Sequence, residues 1–307
     1  LVYTKYARVM GLVGIAVLAT ALLAGCRQGQ GTQAVQAALP QAPATQPTAA
    51  TAPQELPVPH RRAAGTIAPA PEVIVPILMF HHVRDLPAKA SSLESDLTVS
   101  PAHFEEQLSY LEKLGCNTVT LEQIHAFFSE KRPLPAKPVC ITFDDGYLDN
   151  YTVVYPALKR HGMVGVFFII TGVVGNGTHV TWDDLREMHG AGMDIESHTV
   201  HHLELPSLTL PRLRDELYDS RKRLNQEIGG VTFLSYPSGR KSDQVVAEAK
   251  RAGYQGAVTT EHGATMRADR MFLMPRVRVH GTWGAKALEE SIASSAGNEY
   301  RLHLAKH

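Results

Sequence analysis

From Val73 onward, short unbroken apolar runs alternate with segments whose apolar residues recur every three or four positions. Val73–Phe80, Val139–Phe143, Val164–Ile170 and Val231–Tyr236 are mostly apolar on successive residues, the pattern of strands buried on both faces. Met193–Glu196, Gln255–Thr259 and Met274–Val279 complete the set. Between them, Phe104, Leu108, Leu111 and Leu114 repeat at helical spacing, and Thr120 with Gln123 forms a capping box ahead of a helix over Leu121–Glu130. Tyr151–Arg160 reads as helix with Gly162 as its stop, and Thr181 with Asp184 opens another that ends at Gly190 or Gly192. Leu210–Ile228 is a long helix and Asp243–Ala252 a shorter one. Such βα alternation predicts an α/β fold, a parallel sheet with helices outside, and about seven units suffice to close it into a barrel.

The first 72 residues follow other rules. Lys5 and Arg8 precede an uncharged stretch, Val9–Gly25, that ends in Leu22-Leu23-Ala24-Gly25-Cys26. A charged start, an apolar centre and a small-residue exit predict a secretory signal, and the run is shorter than the ~20 residues of a membrane span. The residues around Cys26 resemble the lipobox of bacterial lipoproteins, which implies cleavage before Cys26 and diacylglycerol on its sulfur. The expected location is therefore extracytoplasmic, on a membrane. Arg27, rather than Asp, after the cysteine implies outer-membrane sorting in an organism that has one. The following stretch is Ala, Gln, Thr and Pro, with eight prolines from Pro40 to Pro71, and has too few large apolar residues to offset ordering entropy. An extended Pro-rich linker of this length reaches on the order of 100 Å. The expected organisation is a signal over 1–25, a linker over 26–72, a catalytic domain over 73–285 and a terminal helix or tail over 286–307.

Lys plus Arg and Asp plus Glu number 30 each, so nothing in the charge favours nucleic acid. A neutral glycan is compatible with that balance. Cys116 and Cys140 fall in strand-like apolar stretches and read as buried thiols, with a disulfide between them as the alternative.

Candidate chemistry collects where strands end, the side of a parallel barrel that carries function. One strand runs into Asp144-Asp145-Gly146, another into His198-Thr199-Val200-His201-His202, a third into Tyr236-Pro237-Ser238-Gly239, and the first into His81-His82. Asp-Asp-Gly also makes an ordinary turn. Two adjacent carboxylates at a buried strand end, however, require a cation to stay ionised. His198 and His202, four apart, can reach one ion, and two imidazoles with one carboxylate leave positions open, as catalytic zinc does. His198 with His201 is the competing pair.

Thr142-Phe143-Asp144-Asp145-Gly146 and His198-Thr199-Val200-His201-His202 resemble the first two signatures of the polysaccharide deacetylases, carbohydrate esterase family four, also called the NodB-homology domain. The resemblance covers about Val73 to His280. It implies a distorted (β/α) barrel with fewer than eight strands and a divalent ion, Zn²⁺ or Co²⁺, Ni²⁺ or another. It further implies Asp144 as general base, Asp145, His198 and His202 as metal ligands, and His201 at a variable position. The third signature is degenerate: Ser235-Tyr236-Pro237-Ser238-Gly239 keeps a proline and the glycine but has Ser235 where the family has an arginine that orients the base. The Ser238 N–H remains available as an oxyanion donor, and Arg276, at another strand end, is a candidate replacement for the guanidinium or else a structural arginine. The family's final histidine motif is matched at the domain's start by Pro76-Ile77-Leu78-Met79-Phe80-His81, as in the circularly permuted branch that includes poly-N-acetylglucosamine deacetylases. That match implies His81 as general acid, with His82 pointing the other way because strand side chains alternate.

The expected reaction is metal-assisted hydrolysis of N-acetyl groups on an envelope or extracellular polysaccharide. The expected partners are that polymer and, through lipidated Cys26, a membrane, with no nucleic acid. An O-acetyl esterase on the same metal site and a glycan-binding lipoprotein that has lost catalysis stay open. A two-carboxylate glycosidase fits poorly, since its acids stand roughly 5–9.5 Å apart across the bond whereas Asp144 and Asp145 are adjacent.

Overall fold

The computed structural model describes residues 66–67 and 71–305, with side chains over 71–296. The signal segment, Cys26 and nearly all of the linker lie outside the described residues. Among those described, no helix is long and apolar enough to cross a membrane.

Seven parallel strands form the centre: β1 (Ile77–Phe80), β2 (Pro138–Phe143), β3 (Val166–Ile169), β4 (Asp194–Ser197), β5 (Phe233–Ser235), β6 (Gly256–His262) and β7 (Met274–Arg278). Each pairs with the next in sequence, and β7 returns to β1 with Val277 opposite Leu78 and Arg278 opposite Met79. The sheet is thus a closed barrel, as the alternation of elements predicts.

Alternation along each strand sorts the side chains into two environments. Ile77, Cys140, Val166, Phe168, Phe233, Val258 and Met274 form one cluster, the barrel interior, whose floor is the helix Leu121–Ser129 through Leu121, Ile124, Phe127 and Phe128. Leu78, Phe80, Ile141, Phe143, Phe167, Ile169 and Val277 face outward against helices that supply Phe104, Leu108, Leu111, Leu158, Leu185 and Leu224. The terminal helix Ala285–Ala305 belongs to this outer layer, since Leu288, Ile292 and Ala296 are buried in it. Both capping boxes read from the sequence, Thr120 with Gln123 and Thr181 with Asp184, are formed. Cys116 and Cys140 are free buried thiols.

Four elements depart from the pattern. The apolar run Val73–Phe80 is two strands, because Pro76 has no N–H for a ladder. Its first part, Glu72–Ile74, pairs antiparallel with Thr265–Arg267 outside the barrel. Thr66–Ile67, within the expected linker, pairs antiparallel with Leu134–Pro135, a backbone interaction that needs no large side chain. Finally, two helices read as regular contain a π-turn, at Asn150–Val154 and at Asp215–Asp219. Such turns insert one extra residue into a helical turn, and no residue type marks the place.

Candidate active site

The ends of β2, β4, β5 and β7 meet at the mouth of the barrel. Beyond Phe143, the Asp144 N–H still donates to the Phe80 carbonyl (3.0 Å), after which the chain turns through Asp145 (φ 77°) and Gly146 (φ 77°). Gly146 suits this angle, and a Cβ there would lie 3.0 Å from Ile169 Cδ1, a tight contact. Asp145 tolerates the left-handed conformation as short polar residues do. The turn that the sequence suggests is therefore real, and its consequence is that two adjacent carboxylates face different partners.

Asp144 faces a guanidinium. Arg276, 1% exposed, places Nη1 2.8 Å from Oδ1 and Nη2 2.7 Å from Oδ2. The same guanidinium donates to Thr142 Oγ1 (3.1 Å), Ser235 Oγ (3.1 Å) and the Thr259 carbonyl (2.9 Å), and it lies 5.8 Å from the centre of the Phe168 ring. Ser235 Oγ donates to Asp144 Oδ2 at 3.3 Å. Burial alone would push the Asp144 carboxyl up; the charge and hydrogen bonds of Arg276 override it and hold the group at about 2. Arg276, from β7, is thus the guanidinium that meets Asp144, and Ser235 keeps contact with both partners.

Asp145 faces imidazoles. Its Oδ1 is 3.4 Å from His198 Nε2 and 3.7 Å from His202 Nε2, and one ligand atom from each of the three residues lies within 4.8 Å of the others. His198 Nδ1 is 2.8 Å from the Ser235 carbonyl, which can only accept, so Nδ1 carries the proton and Nε2 presents a lone pair to the cluster. Burial raises the Asp145 carboxyl, but His198 and the other nearby imidazoles hold it well below the usual range. Burial and the neighbouring His198 lower His202.

The loop joining the two histidines is held in an unusual shape. Thr199 (φ 68°), a β-branched residue, and His202 (φ 56°) both occupy the left-handed region. The buried carboxylate of Glu216 holds this loop by accepting from the N–H groups of Val200 (3.0 Å) and His201 (2.8 Å) and by meeting His201 Nδ1 at 2.7 Å. His201 therefore turns away from the cluster to Glu216.

Ser238 (φ 53°) follows Pro237 in a turn closed by the Gly239 N–H on the Tyr236 carbonyl (2.8 Å). A Cβ at Gly239 (φ 69°) would lie 2.1 Å from Thr260 Oγ1, so this turn requires glycine. His81 follows β1 and lies among Asp144, Asp145, Arg276 and Arg278; burial, followed by the two arginines, lowers its imidazole despite the two carboxylates. His82 diverges from it. Its Nδ1 lies 2.7 Å from Asp149 Oδ2 and its ring stacks at 3.5 Å on Tyr147.

The sequence reading missed Glu216, Asp149 and Asn150. Glu216 lies inside a helix with no local motif to mark it. Asp149 and Asn150 follow Asp-Asp-Gly closely, and a polar pair at the start of an apolar helix is the signal that was present.

The family model for polysaccharide deacetylases matches residues 131–257. YxkH of Bacillus subtilis, a protein named for that family, is 38% identical over 206 residues, 67% of this chain and 71% of YxkH. The poly-beta-1,6-N-acetyl-D-glucosamine N-deacetylase of Staphylococcus aureus is 27% identical over 197 residues, 59% of this chain and 68% of that protein. Among solved structures, the Streptococcus pyogenes deacetylase PplD in complex with acetate superposes with a TM-score of 0.67 at 29% identity, covering 72% of this chain and 98% of that one.

Proposed function

Because this chain belongs to the polysaccharide deacetylase family, we propose that it hydrolyses N-acetyl groups on an envelope or extracellular polysaccharide with the help of a divalent ion such as Zn²⁺. The observation that carries this reading is a buried Asp144–Arg276 pair beside a separate Asp145, His198 and His202 cluster. Two imidazoles and one carboxylate suit a borderline-soft divalent ion and leave positions open. The donor set fits, since the Ser235 carbonyl turns the lone pair of His198 Nε2 toward Asp145.

When bound, such an ion supplies Lewis acidity toward water and the acetyl carbonyl. Asp144, kept ionised by Arg276, accepts the proton of the attacking water. The Ser238 N–H serves the oxygen that gains negative charge. His81 gives a proton to the leaving nitrogen as the C–N bond breaks, so the products are acetate and a free sugar amine. Its lowered pKa makes the imidazolium a stronger acid and reduces its protonated fraction at neutral pH.

A binding protein that has lost catalysis was suggested by the missing arginine, and Arg276 removes that motive. Leu22–Cys26 supports a lipid anchor at Cys26 and an extracytoplasmic location. The test is acetate release from N-acetylglucosamine oligomers by the metal-loaded chain. Activity that disappears with chelator and in Asp144→Asn supports the reading. An inert protein that still binds metal, or one active only on O-acetylated xylan, overturns it.

A further inference from the structure

The segment that carries the base and one metal ligand also holds the strand that carries the acid. Six residues after Asp144, the chain enters the π-turn Asn150–Val154, and the fully buried Asn150 side chain reaches back to β1. Its Nδ2 donates to the His81 carbonyl at 3.0 Å and to Asp149 Oδ1 at 3.3 Å. Asp149 Oδ1 in turn accepts from the Val83 N–H at 3.0 Å, and Oδ2 meets His82 Nδ1 at 2.7 Å. Adjacent side chains thus grip the backbone on both sides of residue 82, and Tyr147, from the same segment, stacks on the His82 ring.

The ladder alone does not do this. The β1–β2 register ends at Phe80 opposite Phe143, and the short parallel ladder of His82–Val83 with Thr98–Val99 ties the chain to another segment, not to the one bearing Asp144. The link from the His81 carbonyl and the Val83 N–H to the Asp144 segment is made by Asn150 and Asp149.

We infer that Asp149 and Asn150 are positioning residues for the general acid: they lock the His81–Val83 backbone to the segment bearing Asp144 and Asp145, and so fix the acid relative to the base. The inference rests on the function proposed above, in which His81 protonates the leaving amine.

An acid matters in proportion to how poor the leaving group is. An amine must be protonated to leave, whereas nitrophenolate need not be. The metal-loaded full chain is therefore assayed on N-acetylglucosamine oligomers and on 4-nitrophenyl acetate, as wild type, His81→Ala, Asp149→Ala, Asn150→Asp and the double variant His81→Ala/Asp149→Ala. Asp149→Ala and Asn150→Asp are expected to lose kcat on the oligomers about 100-fold more than on the aryl ester, with KM and metal content near wild type. Once His81 is gone, Asp149→Ala should cost little further on the oligomers, because the two act as one unit. Equal losses on both substrates, or additive losses in the double variant, overturn the inference. Hydrogen exchange at the Val83 amide gives a readout free of activity: protection unchanged in Asp149→Ala also overturns it. A wild type that is inert on the oligomers counts against the proposed function, whereas an active wild type with parallel losses counts against the clamp alone.

Discussion

Arg276 and Asp144 leave strands that flank β1 and meet as a two-point ion pair, 2.8 Å and 2.7 Å, with the guanidinium fully withdrawn from solvent. Removing one partner of such a pair strands the other charge at a cost of about 3–5 kcal/mol. Arg276→Gln should therefore lower both the unfolding free energy by that order and kcat on the amide by about 100-fold, measured by denaturant titration and acetate release. Arg276→Lys restores the charge without the fork and should recover only part of either loss.

His198 and His202 face Asp145, while His201 faces Glu216. Titration with Zn²⁺ or Co²⁺ should show affinity lost in His202→Ala and retained within about tenfold in His201→Ala, where the disturbance is one step removed from the ligands. Equal losses would return the pair His198 and His201 to contention.

Glu216 holds the left-handed stretch between the two histidines through two backbone N–H groups. Glu216→Ala should weaken metal binding about 10–100-fold, the usual range for groups that orient ligands, whereas Glu216→Gln, which keeps one oxygen acceptor, should recover most of it. Calorimetric titration of both variants separates these outcomes.

Inside the barrel, burial and then Glu122 raise Asp194 to about 7, and burial followed by Asp194 raises Glu196 further above its ordinary value. Asp194 Oδ2 is buried without a partner. Below about pH 4 the folded and unfolded chains both hold the Asp194 proton; between pH 4 and 7 only the folded chain does, so stability falls as pH rises through that window. Asp194→Asn should thus gain up to about 4 kcal/mol over wild type at pH 8 and nothing at pH 4. Denaturation midpoints at the two pH values check it, and an equal gain at both would show the effect to be something other than ionisation.

Legibility tracked how local each signal is. Strands such as Val166–Ile169 were visible because a strand buried on both faces is apolar on successive residues, as Phe167-Phe168-Ile169 shows, whereas Asp194–Ser197 and Met274–Arg278 were marked by their place in the alternation. Asp144, Asp145, His198 and His202 were visible because each set is contiguous in the chain. The contact between Arg276 and Asp144 spans 132 positions and was open in the sequence, since one arginine at a strand end looks like any other. The π-turns were not legible at all. Tyr155 and Leu158 follow the first turn at ordinary helical spacing, so the apolar pattern does not mark the turn that holds Asn150, nor the one that holds Glu216.

Closure of β7 on β1 has a consequence for the order in which the enzyme is made. His81, both adjacent aspartates and the two clustered histidines precede Arg276 in the chain. The guanidinium that neutralises Asp144 arrives only at Arg276, on the strand that seals the barrel. Any nascent fragment ending before Met274 therefore carries an open sheet and a base whose charge has no counterpart. Sealing the sheet and pairing the Asp144 charge are thus a single event, carried by one strand.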